Sequence, residues 1–329
     1  MKFWWVSHNQ TFRQEVDGNY MWSPKVTQEN HRSQFYENMR ETARGDFVFS
    51  FNDKKIMALG IVEGTAYTCP KPAEFGKIGS NWKDIGWRVD VAFKRVQRQI
   101  TPSEHMDLLR PLLPEKYSPL QERGKGNMFY LTAVPEGLGA ALLGLIGPEG
   151  EARRQEALNL DRLREDASIY QAGKEEIMAD WDKLIDKEID EDPDLDTTEK
   201  KEMKTSRIGQ GLFKRRVSLI EKSCRITKVG NIDHLIGSHI KPWKISNNRE
   251  RLDGENGLLL TPSIDHLFGN GYLSFKNNGD LIISVRADQS SLVKMGVPLA
   301  TEMNVGSFSR KQSEYLEYHR DEILLQARA

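Results

Sequence analysis

The feature that most constrains the fold is a run of structural signals between Leu235 and Phe268. An apolar stretch that ends in His239 indicates a strand, a polar loop follows, and Leu258–Leu260 indicates a second strand. Thr261-Pro262 then supplies a cap candidate and an early proline, which suit the start of a helix. The segment therefore predicts a strand–loop–strand–helix unit with a histidine at the end of its first strand.

Polar side chains of this unit suit metal-assisted hydrolysis, which needs a base for water, a cation for the developing charge, and in-line positioning. His239 suits the base because the ordinary pKa of histidine lies near neutrality. Asp265 offers a hard oxygen ligand to Mg²⁺ or Mn²⁺.

Charge changes sign along the chain, although the total is nearly balanced at −1. Acidic residues outnumber basic ones two to one over 149–202, and the excess is basic over 204–251. Because Lys and Arg supply most sequence-independent DNA affinity, we expect backbone contacts from the basic segment. The candidates are Lys214, Arg215, Arg216, Lys241 and Lys244.

Four ordered blocks carry a family resemblance in the C-terminal third. They are His239-Ile240-Lys241-Pro242-Trp243, Asn256-Gly257-Leu258-Leu259-Leu260, Asp265-His266-Leu267-Phe268 and Gly271-Tyr272-Leu273-Ser274-Phe275. In this pattern the chain resembles the HNH nuclease family, from about Ser206–Gly211 to the last helix. The resemblance implies phosphodiester hydrolysis, a ββα-metal fold and one divalent ion at a site of His239, Asn256 and Asp265, in which Asn256 braces the loop and orients the histidine. Waters and phosphate oxygens would complete the shell of the ion. His266 is the alternative ligand, because other branches of the family use a helix histidine. Neighbouring helix positions point about 100° apart, so we expect only one of the two to face the metal, and the Leu267-Phe268 pair that follows favours Asp265.

The first 148 residues are rich in aromatic residues and short β-type runs. Strands are predicted at Phe3–Ser7, Asp46–Phe51, Ile56–Glu63 and Arg88–Val96, and helical spacing is found over Gln28–Arg40. Together these signals predict a small barrel-like domain that ends near Gly147-Pro148.

This first domain resembles an EVE domain, a PUA-like relative of the YTH readers of modified bases. The resemblance is carried by blocks that include Phe3–Val6, Gly18–Pro24, Gly45–Phe49, Ile56–Val62, Gly86–Val91 and Asn127–Leu131. It implies a β-barrel with an aromatic pocket for a flipped base, which we expect to be 5-methylcytosine or a relative. Trp22 and Trp82 are the predicted cage, and the further pocket candidates are Asn19, Tyr20, Ser23, Phe49 and Trp87.

Between the two domains the chain is acidic and helical in pattern. One apolar face at helical spacing is predicted from Ile177, Trp181, Leu184, Ile185 and Ile189. The helix should end at the Asp-Glu-Asp-Pro run because proline cannot continue it. We expect an α+β protein with three parts: a reader domain over 1–148, a helical linker over 149–203 and a nuclease domain over 204–329.

These expectations combine into a modification-dependent DNA endonuclease that binds double-stranded DNA with modified bases. Because one HNH site cuts one strand, double-strand breaks would come from a homodimer or from successive nicking. Two alternatives stay open. One is a binding protein with a degenerate nuclease, because Gly269 stands where the family often has an acid. The other is an HNH nuclease without modification dependence. Two cysteines, no leader pattern and no apolar run of about 20 residues favour a cytoplasmic protein without membrane contact.

Overall fold

The computed structural model describes residues 1–159, 166–193, 195–207, 211–298 and 303–325. It separates into two compact units, Met1–Ala179 and Asp180–Ala329. Parts of the predicted linker (160–165 and 194) and residues 208–210, where the HNH resemblance begins, lie outside the described residues. The architecture is α+β, as predicted from the sequence.

A seven-stranded, curled sheet forms the first unit, in the order β2-β6-β4-β3-β1-β7 with β5 also paired to β6. Its strands are β1 (Phe3–Ser7), β2 (Tyr20–Pro24), β3 (Phe47–Asn52), β4 (Lys55–Val62), β5 (Tyr67–Pro70), β6 (Ile85–Ile100) and β7 (Leu131–Val134). β1 pairs in parallel with β3, and the other pairings are antiparallel. The predicted strands are thus present, and β6 is longer than expected because it pairs with β2 and β5 along one half and with β4 along the other.

Two apolar clusters cover the two faces of this sheet, because successive side chains of a strand point to opposite faces. Phe3 and Trp5 of β1 belong to one cluster, and Trp4 and Val6 belong to the other. Side chains of β1 therefore pack alternately into the two apolar clusters, and the sheet lies between these clusters.

The helices of the first unit are short, except for the last. They are α1 (Phe12–Asp17), α2 (Gln34–Glu41), α3 (Met106–Leu109), α4 (Glu136–Ile146), α5 (Pro148–Asn159) and α6 (Asp166–Glu191), the last of which contains the division between the units. α6 ends before Pro193, as predicted. Trp181, Ile185 and Ile189 are buried, whereas Leu184 is 63% exposed and was wrongly assigned to the same face. The helix predicted from Gln28 is wrong at its start, because Asn30 lies at φ 62° in a turn closed by Thr27 and His31.

The second unit contains the predicted strand–loop–strand–helix arrangement. Its elements are α7 (Thr197–Ser206), α8 (Gly211–Ile220), β8 (Ile236–His239), α9 (Asn248–Arg251), β9 (Gly257–Leu260), α10 (Pro262–Gly269), β10 (Leu273–Phe275), β11 (Leu281–Ile283), α11 (Gln289–Lys294) and α12 (Arg310–Glu322). β8 and β9 form an antiparallel pair, and α10 packs against both. α12 begins with a capping box of Ser309 and Gln312, which satisfies the free amides of its first turn.

Within the described ranges, no helix is both long enough and apolar enough to cross a membrane. Cys69 and Cys224 are both buried.

Candidate active site and candidate base-binding cavity

The β8–β9 pair places His239 opposite Gly257. A Cβ at Gly257 would lie 2.3 Å from Val217 Cγ2 and 2.9 Å from Phe213 Cζ, both on α8, so a side chain there would push this helix away. With glycine in place, the Phe213 ring lies flat against the His239 imidazole. The ring centroids are 3.6 Å apart and the planes differ by 3°.

His239 is held in one tautomer. Its Nε2 lies 3.0 Å from the main-chain oxygen of Arg251, and because a carbonyl oxygen only accepts, Nε2 carries the proton. Nδ1 therefore keeps its lone pair, and it has no hydrogen-bond partner among the described residues. Burial lowers the pKa of His239 to about 4, although the Arg251 carbonyl opposes this shift. The ring is neutral at neutral pH and can accept a proton at Nδ1.

Asn256 is fully buried directly before β9 and fastens the loop between the two strands. Its Oδ1 accepts from Lys241 N at 2.8 Å, while Nδ2 donates to the main-chain oxygens of Lys241 at 3.2 Å and Glu250 at 3.1 Å. The same loop carries the carbonyl that is bonded to His239. Asn256 therefore acts on the imidazole through the backbone and does not contact it by a hydrogen bond.

Asp265 lies in the first turn of α10, where Thr261 is the N-cap. The helix buries an apolar face of three side chains, and these are Ile264, Leu267 and Phe268. Asp265 lies beside this face and is half-buried, whereas His266 is exposed. The Asp265 carboxylate has no hydrogen-bond or ion-pair partner among the described residues, and His266 Nδ1 lies 3.4 Å from Asn270 Nδ2.

The protein's contribution to a metal site would be small. Across the part of the chain that the structure describes, no three His, Cys, Asp or Glu side chains are grouped so that they could hold an ion. Hard divalent cations bound through one or two carboxylates keep several waters, so Asp265 with an unpaired carboxylate fits such an ion.

The five predicted DNA-backbone residues have different surroundings. Lys241 pairs with Glu250 at 2.6 Å and Lys244 with Asp182 at 2.5 Å. Arg216 donates to the main-chain oxygen of Leu252, and Arg215 lies 3.7 Å from Glu202. Lys214 has no ion pair with a described residue. Of the five, Lys214 and Arg215 on α8 are the cations least committed to the protein itself.

The first unit contains a cavity of about 280 Å³ between β2, α2 and the loops around them. Trp22 and Trp82, the two predicted cage residues, both line it, with ring centroids 6.3 Å apart and planes 27° apart. Gly86 and Gly79 bring them there: a Cβ at Gly86 would lie 2.4 Å from the Trp22 ring, and one at Gly79 would lie 2.1 Å from the Trp82 ring. The lining side chains are all uncharged.

The other five pocket candidates do not line this cavity. Phe49 is packed in the core, and Trp87 lies buried under Lys25. Asn19 closes a turn, with its Oδ1 accepting from Phe93 N. Two further residues of β2 are also buried away from the cavity, namely Tyr20 and Ser23. Of the seven predicted pocket residues, only Trp22 and Trp82 line the cavity, and Trp22 is itself 1% exposed.

A buried polar network supports the cavity from behind. The Tyr130 hydroxyl donates to Glu15 Oε2 at 2.7 Å and accepts from Trp22 N at 2.8 Å. His8 Nε2 lies 2.6 Å from the same carboxylate oxygen, at ion-pair distance but without hydrogen-bond geometry, and His8 Nδ1 lies 2.8 Å from Ser50 Oγ. Burial beside Glu15 raises the pKa of Tyr130 well above its usual value. Tyr130 lines the cavity, so this network joins the cavity wall to the strand of Trp22.

Sequence reasoning missed Phe213 and Tyr130. Phe213 lies 26 positions before His239, in an apolar helix pattern that gives no sign of a ring partner. Tyr130 lies within a block that carried the EVE resemblance, so that block was a signal for it. Its contacts, more than 100 residues away in the chain, were not visible in the pattern.

Comparison with known proteins gives one family match. The HNH endonuclease family matches residues 224–276, a segment that contains β8, β9, α10 and β10. The match supports a nuclease and includes His239, Asn256 and Asp265. No curated protein matches the chain.

Three solved structures resemble the N-terminal part of the chain. A Pseudomonas putida protein is 16% identical, with a TM-score of 0.31, 44% of this chain covered and 99% of the other. Rpa0253 from Rhodopseudomonas palustris is 17% identical, with a TM-score of 0.30 and coverages of 45% and 94%. Human THYN1, whose structure is a complex with DNA containing 5-methylcytosine, is 15% identical, with a TM-score of 0.31 and coverages of 45% and 98%.

Proposed function

We propose that the protein is a modification-dependent DNA endonuclease. The observation that carries the proposal is the environment of His239, whose Nε2 proton is committed to the Arg251 carbonyl while Nδ1 is left with a free lone pair. A base held in this way can accept a proton from water only at Nδ1. The family match over 224–276 supports phosphodiester hydrolysis as the reaction that this base serves.

In the proposed mechanism, His239 Nδ1 takes a proton from the attacking water, and Phe213 and Arg251 prevent the ring from turning. Asn256 keeps the loop that holds the Arg251 carbonyl in place. Asp265 would hold Mg²⁺ or Mn²⁺, with His266 as the alternative ligand. Such an ion supplies positive charge to the scissile phosphate and to the oxygen that leaves.

The cavity lined by Trp22 and Trp82 is the proposed reader of the modified base. Flipping a base out of the duplex costs its stacking, and aromatic rings can offset that cost. Because the lining is uncharged, the cavity suits a neutral base such as 5-methylcytosine rather than one that carries a positive charge. The wall is held by the Tyr130 network, so the site is formed before DNA binds.

One cleavage experiment tests both halves of the proposal. Methylated and unmethylated copies of one plasmid are incubated with the protein and Mg²⁺ or Mn²⁺, and products are measured on gels. We expect the methylated copy to be cut first, His239→Ala to stop cutting, and Trp22→Ala to remove the preference. Equal cutting of both plasmids by the unaltered protein would refute the reader while leaving the nuclease.

Double-strand breaks by a dimer would appear as a rate that rises with the square of protein concentration at low occupancy.

A binding protein with a decayed nuclease is the second candidate, because α10 ends in Gly269 where the HNH pattern often has an acid. Gly269 lies four residues after Asp265, and a side chain there would meet open space. Packing therefore does not require glycine at this position. Tight binding of methylated DNA without cutting under any divalent metal would favour this candidate, and a gain of cutting in Gly269→Asp would identify the missing ligand.

A further inference from the structure

Met128 is the most conspicuous apolar side chain at the mouth of the cavity. It is 91% exposed, yet it belongs to the cavity lining together with Trp22, Trp82 and Tyr130. Single exposed apolar residues are common on protein surfaces, so exposure alone indicates nothing. Its position beside two aromatic rings is what requires an explanation.

The loop that carries Met128 is fixed on both sides. Before it, Asn127 N donates to Pro119 O at 2.9 Å and Asn127 Nδ2 to Ser118 O at 2.8 Å. After it, the Phe129 ring stacks on Phe35 with centroids 3.9 Å apart and planes 12° apart. Because Asn127 and Phe129 are both fixed, the backbone between them is held in place and the Met128 side chain points outward.

Extruding a base leaves a gap in the stack of the duplex, and proteins that unstack base steps commonly insert an apolar wedge. Methionine is unbranched, flexible and polarisable, and its sulfur makes favourable contacts with aromatic rings. A side chain at the mouth of the cavity that receives the base is also next to the gap that the base leaves. We propose that Met128 enters this gap and stacks between the flanking bases, an inference that rests on the proposed reader function.

The wedge has a consequence that distinguishes it from the cavity itself. Single-stranded DNA has no continuous stack in which a gap must be filled, so binding of a modified base in a single strand needs the cavity but not the wedge. Duplex DNA needs both. Met128 should therefore matter for the duplex only, whereas Trp22 should matter for both forms.

The experiment uses the full chain with His239→Ala, so that the DNA is not cut. The probes are a fluorescent duplex with one 5-methylcytosine, the same strand alone, and the unmethylated duplex. For Met128→Ala we expect duplex affinity to fall about tenfold, as for loss of one stacking contact, and single-strand affinity to change by less than about twofold. Met128→Leu should retain most of the duplex affinity, because it keeps an apolar side chain of similar volume.

Two controls complete the design. Leu108→Ala removes another exposed apolar side chain, 51% exposed and outside the cavity lining, and should change neither affinity. With 2-aminopurine next to the methylated base, Met128→Ala should reduce the fluorescence rise that accompanies unstacking. An equal loss on duplex and single strand, or no loss on either, would overturn the wedge alone. A parent protein that binds methylated and unmethylated duplexes equally would overturn the reader, and the wedge with it.

Discussion

Two imidazoles of the second unit have nearly the same surroundings, on β8 and on α12. His239 stacks flat on Phe213 with centroids 3.6 Å apart, and His319 stacks on Phe268 with centroids 3.8 Å apart. Each Nε2 lies 3.0 Å from a main-chain oxygen, so both rings have the same tautomer. Burial lowers the pKa of His239 to about 4 and that of His319 to about 3.

They differ at the other ring nitrogen. His319 is 1% exposed and its Nδ1 lies 2.9 Å from Ser274 Oγ, so both nitrogens are committed within the protein. His239 is partly exposed, and its Nδ1 is free of described partners. Stacking on a phenylalanine and a fixed tautomer are thus shared by His239 and His319. The unpaired nitrogen, not the burial or the shifted pKa, distinguishes the candidate base from the structural residue.

The largest expected effect is the exchange of either histidine for alanine. His239→Ala should lower kcat about 10³-fold, which is typical for loss of a general base, with only a modest fall in melting temperature. His319→Ala should instead destabilise the fold by about 3 kcal/mol, because it leaves a cavity and unpaired polar groups, with near-normal kcat in the folded fraction. Cleavage rates and urea unfolding of both variants measure this. A catalytic loss of equal size in both would remove the distinction.

Asn256→Ala should follow in size. It removes four side-chain hydrogen bonds of a buried residue, so we expect a loss of about 2–3 kcal/mol in stability and about 100-fold in kcat. Asn256→Asp keeps the acceptor for Lys241 N and loses the donors, so it separates the two halves of the brace. If folded Asn256→Ala cleaves DNA at the normal rate, the loop does not orient His239.

The sequence predicted the local parts of this site and missed the distant ones. The strand that ends in His239 and the helix that carries Asp265 follow from apolar runs, an early proline and turn residues close by in the chain. The stack on Phe213 could not be predicted, because helix periodicity shows which face is buried but not what lies against it. Phe49 illustrates the same limit: strand alternation separates two faces, but it does not show that apolar clusters cover both of them.

The fold of the first unit shows the same limit. The strands were predicted correctly from short β-type runs. The start of α2 was predicted six residues too early, because the left-handed conformation of Asn30 interrupts a sequence that has helical spacing. The network of His8, Glu15 and Tyr130 joins residues more than 100 positions apart and has no local pattern. Contacts of this kind follow from the sheet order, which a single sequence does not give.

Acid should affect the two histidines differently, and this effect is smaller. Because the pKa of His239 is about 4, kcat/KM should stay level from pH 7 to about 5 and be halved near pH 4. This midpoint lies well below the ordinary histidine pKa of about 6.5. Both folded-state pKa values are lowered, so each histidine stabilises the fold above pH 6.5. That contribution is lost as the pH falls from 6.5 through the folded-state values, since the unfolded chain takes up the protons first.

Melting temperatures and cleavage rates across pH 4–8 test this together. The fall in melting temperature between pH 6.5 and 4 should be shallower in His319→Ala, whose kcat/KM profile should be unchanged. A midpoint of kcat/KM between pH 6 and 7 would mean that His239 is not desolvated in the free protein, and the likeness to His319 would then be limited to geometry.

The smallest effect should come from the two phenylalanines. Phe213→Leu keeps an apolar side chain but removes the flat ring, so water reaches His239 more easily and its pKa should rise toward the ordinary value. We expect the acid limb of kcat/KM to move up by about one pH unit and kcat to fall about threefold to tenfold, because the imidazole is oriented less firmly. Phe268→Leu makes the matched change under His319 and should lower stability by about 1–2 kcal/mol without moving the acid limb. Comparing the two variants shows how ring stacking affects the pKa and the activity of His239, whose Nδ1 has no partner within the described protein. If neither variant moves the limb, the low pKa of His239 comes from the surrounding backbone rather than from the ring beneath it.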